Sequence, residues 1–386
     1  MEIRQLMLDF WNRFKTAYNQ EVLQIFKRFT SHWLMWILPL LIFVIISSIF
    51  YRGVLFDLPV AYIDQDKSTL SREIVRNLNA GAHANLINYD NQLSVAERDL
   101  QKAKIYAILY IPPNFEADVL SGRQPTPMLY YNALYYSAGL YSIMDYSGLI
   151  AVLNTQYRTT LATSIGLPVP PLAKVNFNYD GLFNASGNSL YFQQFSAVVH
   201  LLQLFVITTT IYILSQLPKR TRANYPFVLG KLAPYTIWYT MLLIFEIALL
   251  VVLSHAKVSG SPFAMMTVVF FYVIAAQSIG ILLFTFTKNA IDAYTYIGIL
   301  VGLALTYSGI VVPELSMPWI ARFISSLEPL TYALNKLFDL FLRHSNYLSV
   351  FKTCGILMIY PIIITVLVRK RLVKRLHSQQ KDKSNA

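Results

Sequence analysis

Apolar side chains fall in long, nearly uncharged runs along this chain. Trp33 to Tyr51 carries no charged residue, and similar runs recur near 192–216, 233–254, 262–287, 293–312 and 350–368. About 20 consecutive apolar residues cross the hydrocarbon core as a helix, so the pattern predicts six transmembrane spans. The segment before the first run has a different period. Ile3, Met7, Phe10, Phe14, Tyr18, Val22, Ile25 and Phe29 recur at helical spacing, with Arg13, Lys15, Lys27 and Arg28 interspersed. That alternation predicts an amphipathic helix lying in the headgroup plane, or packed on a partner.

Between the first two spans the period shortens again. Leu58–Ile63, Ile105–Ile111 and Met128–Tyr131 read as strands. Asp66 and Ser68 offer N-cap oxygens for a helix through Leu78, and Ser94 to Glu97 forms a capping box for a second helix. Asn114 caps a short third helix, and a longer helical stretch covers 137–164 before a linker marked by Pro168, Pro170 and Pro171. Strands alternating with helices predict a small α/β domain. Between the last two spans, Pro318–Ser326 and Thr331–His344 predict two helices too short to cross, hence a re-entrant or interfacial hairpin.

The expected fold class is an α-helical polytopic membrane protein with six transmembrane helices plus an extracytoplasmic α/β domain. Residues 1–32 form the interfacial helix, 33–52 the first span and 53–191 the extracytoplasmic domain. Residues 192–368 hold spans two to six with the hairpin at 313–347, and 369–386 form a basic cytoplasmic tail.

Composition and charge add an orientation. Apolar residues make up 55% of the 386 residues and charged ones only 13%, roughly half the charged share of a soluble domain. Lys and Arg number five in residues 1–32, four in 217–232 and seven from Arg369 onward. The positive-inside rule places these segments, and both termini, in the cytoplasm, and 53–191 outside. The net charge of +12 is then explained by loops facing anionic lipid headgroups rather than nucleic acid. Cys354, the only cysteine, lies within the last run, so no intramolecular disulfide is expected. The acidic residues ahead of the first span predict a retained anchor, not a cleaved signal peptide.

The chain lacks the motifs of soluble catalysis. Its one Gly-Lys pair, Gly230-Lys231, is followed by Leu232 and preceded by Tyr225 where a phosphate loop needs glycine. No catalytic, cofactor or metal-ligating residues are expected, and the scattered histidines have no zinc spacing. Asp64 to Ser68 resembles the start of a calcium loop but lacks its glycine and closing glutamate, so a strand end and helix cap explain it. The intramembrane polar candidates are His200, Glu246 and Gln277. His200 and Glu246 lie about eight and nine residues from the outer ends of their spans, roughly 12 and 13 Å deep at 1.5 Å per residue. Their matched depth predicts that they are neighbours. Buried ionisable groups need a partner or water, and Gln203 and Gln277 are alternatives.

Taken in order, several fragments resemble the permease subunits of type-2 ABC exporters of the drug and daunorubicin-resistance class. They are Glu21-Val22-Leu23-Gln24 through Lys27-Arg28, Leu38-Pro39, and Pro59 to Asp66 with Ser68 and Leu70-Ser71. Ala107 to Phe115, Leu229-Gly230-Lys231-Leu232 with Pro234-Tyr235, Ser308-Gly309, Pro313, Met317-Pro318-Trp319 and Pro329-Leu330-Thr331 complete the series. The resemblance implies a bacterial inner-membrane exporter whose ATP is hydrolysed by a separate cytoplasmic ATPase subunit. It implies a second permease subunit, as homodimer or heterodimer, and a periplasmic membrane-fusion adaptor. Lys219, Arg220, Arg222, Gly230 and Lys231 become the ATPase-coupling loop. Family members carry an acidic stretch before the Gly-Lys; here 216–224 has no acid. A proton-coupled transporter titrating Glu246, and a non-transporting scaffold or receptor, are the alternatives.

Overall fold

The computed structural model describes residues 2–50, 55–90, 92–121, 123, 125–132, 138–139, 141–151, 154, 190–217, 224–254, 258–310, 312–343 and 345–382. The chain divides into two compact units, Val54–Asp180 and the remainder, Met1–Gly53 with Gly181–Ala386.

The first of these is a small α/β unit. Its strands are β1 (Leu58–Asp64), β2 (Ala84–Asn88), β3 (Ala107–Ile111) and β4 (Met128–Tyr131), in the sheet order β2-β1-β3-β4. β1 pairs parallel with both β2 and β3, and β4 closes the sheet antiparallel to β3. The helices are α1 (Thr69–Asn79), α2 (Leu93–Gln101) and α3 (Phe115–Leu120). α1 and α3 cover one face, where Leu70, Ile74, Leu78 and Phe115 pack on Val60, Leu109 and Ile111. α2 covers the other through Ala96 against Ala61, Ile63 and Ile108. A central parallel strand buried on both faces accounts for the apolar run in β3.

Three local expectations are revised. β2 was not anticipated: only Ala84 in Ala84–Asn88 is buried, so this edge strand has no alternating signal. Ser94 is not an N-cap, because a turn from Tyr89 to Gln92 starts α2 at Leu93 and leaves Ser94 inside the helix. Asn114 adopts φ 59° and caps nothing; the Asp66 carboxylate instead accepts from the Glu116 N–H at the start of α3. Ser68 does cap α1, through the Ser71 N–H. The Asp64 carboxylate accepts from the N–H groups of Asp66 and Lys67 and from the Ser71 hydroxyl, which makes it a loop brace. Within 137–164 the described helix covers 141–151, and the proline linker lies outside the described residues.

The second unit is helical. An N-terminal helix, Glu2–Ile25, precedes six helices long and apolar enough to cross a membrane: Phe29–Phe50, Tyr191–Ser215, Tyr225–Leu253, Pro262–Phe286, Ala290–Tyr307 and Tyr347–Leu376. The short helices Trp319–Leu327 and Pro329–Leu342 lie between spans five and six. The second of these is largely buried, and its end is tied down where the Ser259 and Gly260 N–H groups donate to the carbonyls of Phe341 and Leu340.

Backbone carbonyls released at one irregular turn knit the spans together. Span one is π-helical over Trp33–Ile37, a geometry that disturbs the regular i→i−4 ladder. The Leu34 and Met35 carbonyls accept from the Tyr239 hydroxyl and the Trp238 indole N–H of span three, at 3.1 and 2.9 Å. The same Tyr239 hydroxyl lies 2.6 Å from Thr209 on span two. In hydrocarbon such polar groups have no water to turn to, so pairing between helices is required.

Candidate functional site

Span two ends at Ser215 and span three starts at Tyr225, so their connection is short. Lys219, Arg220 and Arg222 lie outside the described residues. Gly230 and Lys231 do not belong to a loop at all: they sit in the second turn of the span-three helix, which the Asn224 side chain opens by accepting from the Phe227 N–H.

What surrounds them is the N-terminal helix. A Cβ on Gly230 would come 2.4 Å from the Phe14 carbonyl oxygen and 2.9 Å from the Ala17 Cβ. Only glycine allows this approach, and Ala17 is the small residue facing it. One turn further along the N-terminal helix, the Lys231 ammonium donates to the Glu21 carboxylate at 2.7 Å and to the Gln24 side-chain Oε1 at 3.3 Å. The other Glu21 oxygen accepts from Arg28 and from the Tyr235 hydroxyl, both at 2.9 Å. Arg28 also donates to Gln24 at 2.7 Å. Both Lys231 and Glu21 are 1% exposed, whereas Arg28 keeps a wet edge. A charge removed from water this completely persists only with its partners in place. Lys231 is thus a fastener between two helices and is shielded from any partner protein.

The arrangement joins two of the quoted fragments, Glu21 to Arg28 and Gly230 to Tyr235, which are some 210 residues apart in the chain. On the outward side the N-terminal helix presents Met7, Leu8, Phe10, Trp11 and Leu23.

The intramembrane candidates separate. Gln277 is fully engaged: it accepts from Thr236 at 2.8 Å and donates to the Leu232 carbonyl at 3.2 Å, fixing span four to span three. Glu246 faces a cavity of about 10 Å³ lined by Pro39, Ile42 and Phe43 of span one and by Val198, Leu201, Leu202 and Phe205 of span two. Those span-two residues form one i, i+3, i+4, i+7 stripe. His200 is off that stripe, and no hydrogen bond or ion pair joins it to Glu246 among the described residues. The expected pairing is therefore overturned: depth fixes the position along a helix axis but not around it.

A buried carboxylate escaped the sequence reading. Glu328, at the start of the second hairpin helix, is buried, and its Oε2 finds no hydrogen-bond partner of good geometry among the described residues. Buried Gln203 Nε2 and His200 Nδ1 are likewise unpartnered. The available signal in the sequence is its neighbour Pro329, which starts an apolar helix.

Across the chain, the family described as ABC-2 family transporter protein matches residues 30–370. The chain belongs to the ABC-2 transporter family. No curated protein and no solved structure matches it. Six membrane-length helices and this family together make it a multi-pass membrane protein of the ABC transporter permease type. In that setting, the helix ahead of the matched region is the one held to span three by Glu21 and Lys231.

Proposed function

We propose that this ABC-2 family chain is the transmembrane permease subunit of an ATP-driven exporter that moves a small hydrophobic or amphiphilic compound out of the cytoplasm or inner leaflet. The observation that carries the reading is the polar fastening of the N-terminal helix to the first turns of span three. It ties the N-terminal helix to span three, the helix that the short basic connection at 217–224 leads into, so a push on that connection is delivered to both helices together. The chain has no phosphate loop, so the push comes from a separate ATPase subunit. Lys219, Arg220 and Arg222 are the cations available to an acidic groove on that subunit, whereas Gly230 and Lys231 act behind them by holding the two helices together. A second permease subunit, identical or divergent, completes the pathway, and a periplasmic adaptor is the partner for the α/β unit.

The proposed setting is a bacterial inner membrane with both termini in the cytoplasm and the α/β unit outside. Reporter fusions after Asp90 and after Asp382 should then report opposite sides of the membrane. The same side for both would rule out the six-span topology.

Energy source separates this reading from a proton-coupled one, for which buried Glu246 is the favouring observation. In inverted vesicles carrying this chain and its ATPase, accumulation of a fluorescent amphiphilic dye should require ATP, stop with vanadate and survive an uncoupler. Accumulation that survives vanadate and stops with the uncoupler would favour the proton-coupled reading.

A further inference from the structure

The α/β unit carries a crevice that the transport reading does not use. The connection after β1 leads to α1 on one face of the sheet, while the connection after β2 leads to α2 on the opposite face. β1 and β2 stay paired to Tyr62 and Asn88, and the chain then leaves their carboxyl ends toward opposite faces. In open α/β sheets ligands bind in crevices outside the carboxyl ends of the strands, where neighbouring loops part. The cleft is present here: a cavity of about 820 Å³ opens beyond the two strand ends, lined by the β1–α1 loop, the first turns of α1 and the end of β2. That volume suits a small organic molecule.

The lining specifies the chemistry. Lys67, Arg72 and Arg76 contribute three cations. Arg72 is held in place by donating from Nε to the Ser68 carbonyl and from Nη2 to the Lys67 carbonyl. Lys67 and Arg76 make no ion pair with any described residue. Of the two acids in the lining, Asp64 is spent on the loop N–H groups and the Ser71 hydroxyl, and Asp90 accepts from Asn88. Tyr62 and Val75 supply an apolar patch in the same cavity. Three cationic side chains thus face two carboxylates, both already engaged in hydrogen bonds within their own loops.

We propose that this crevice binds a small organic anion, with its charged group between Lys67 and Arg76 and a flat apolar body against Tyr62 and Val75. Arg72, fixed by the loop backbone, presents its remaining N–H edge to the same charge. The inference rests on the α/β unit alone and stands or falls independently of how transport is driven.

The test uses the full chain in nanodiscs of zwitterionic lipid, titrated with 4-methylumbelliferyl phosphate and followed by fluorescence anisotropy. The uncharged 4-methylumbelliferyl galactoside is the control. Saturable binding of the phosphate, weakening with salt, is expected, with none for the galactoside. Lys67→Gln and Arg76→Gln should each weaken binding roughly five- to tenfold, the range for charged hydrogen bonds at a partly wet site. Both residues are exposed, so the variants should keep the parent's melting temperature and gel-filtration profile. No saturable binding of the phosphate, equal binding of the galactoside, or unchanged affinity in the folded Lys67→Gln/Arg76→Gln double variant would each overturn the proposal.

Discussion

Glu21→Ala is expected to release the N-terminal helix from span three at a cost of about 3–5 kcal/mol, the range for breaking a buried pair from one side. The substitution leaves the Lys231 ammonium 1% exposed with only the Gln24 side-chain oxygen, at 3.3 Å, as acceptor among the described residues. It also strands the Tyr235 hydroxyl, which donates to the same carboxylate. An ammonium without a counter-charge cannot stay in that position, so the helices part until water reaches it. Trypsin cleavage at the exposed Arg13 and Lys15, in detergent at constant protease, should accelerate many-fold. Glu21→Leu combined with Lys231→Met removes both charges and should restore much of the protection, since apolar groups of similar size replace a buried pair at little cost. Arg28, which is 22% exposed, can turn to solvent in that double variant. Unchanged trypsin protection in Glu21→Ala would mean that the pair does not hold the helix.

Gly230→Val should produce the second largest effect, about 1–3 kcal/mol, as overpacking typically costs. The obstacle is the Phe14 carbonyl oxygen, 2.4 Å from where the new Cβ must sit, and a backbone atom cannot rotate away as a side chain can. The N-terminal helix must therefore move bodily. That movement also draws Glu21 off Lys231, so the two lesions share one consequence. In the trypsin assay the Glu21→Ala/Gly230→Val variant should be little worse than Glu21→Ala alone. Costs that simply add would show that the glycine contact and the ion pair act independently.

The six spans were legible because a membrane helix needs an unbroken apolar run, and each run in the sequence lies within or overlaps a helix of the structure. The strand-and-helix alternation of the α/β unit was legible where a strand is an unbroken apolar run, as in Ala107–Ile111 and the exposed Met128–Tyr131, and failed at Ala84–Asn88, where asparagines interrupt it. The site was less accessible. Gly230 and Lys231 stood out, but their partners Ala17, Glu21 and Gln24 are far away in sequence, and nothing in a single chain's spacing pairs them. Glu21 opens one of the fragments that carry the family resemblance, yet nothing in its neighbourhood in the chain shows that it is buried against span three. His200 and Glu246 failed for a different reason: residue counting gives depth in the bilayer, whereas contact also depends on which way each helix is rotated, and that is set by its packing neighbours.

An ATPase on another chain is proposed to drive this permease. The most direct test is to purify the tagged full-length chain from its native membranes and assay what comes with it. The account predicts a co-purifying ATPase subunit and vanadate-sensitive ATP hydrolysis, both lost when Lys219, Arg220 and Arg222 are changed to Glu while membrane insertion is unaffected. A chain that purifies without ATPase subunit or ATP hydrolysis would contradict it.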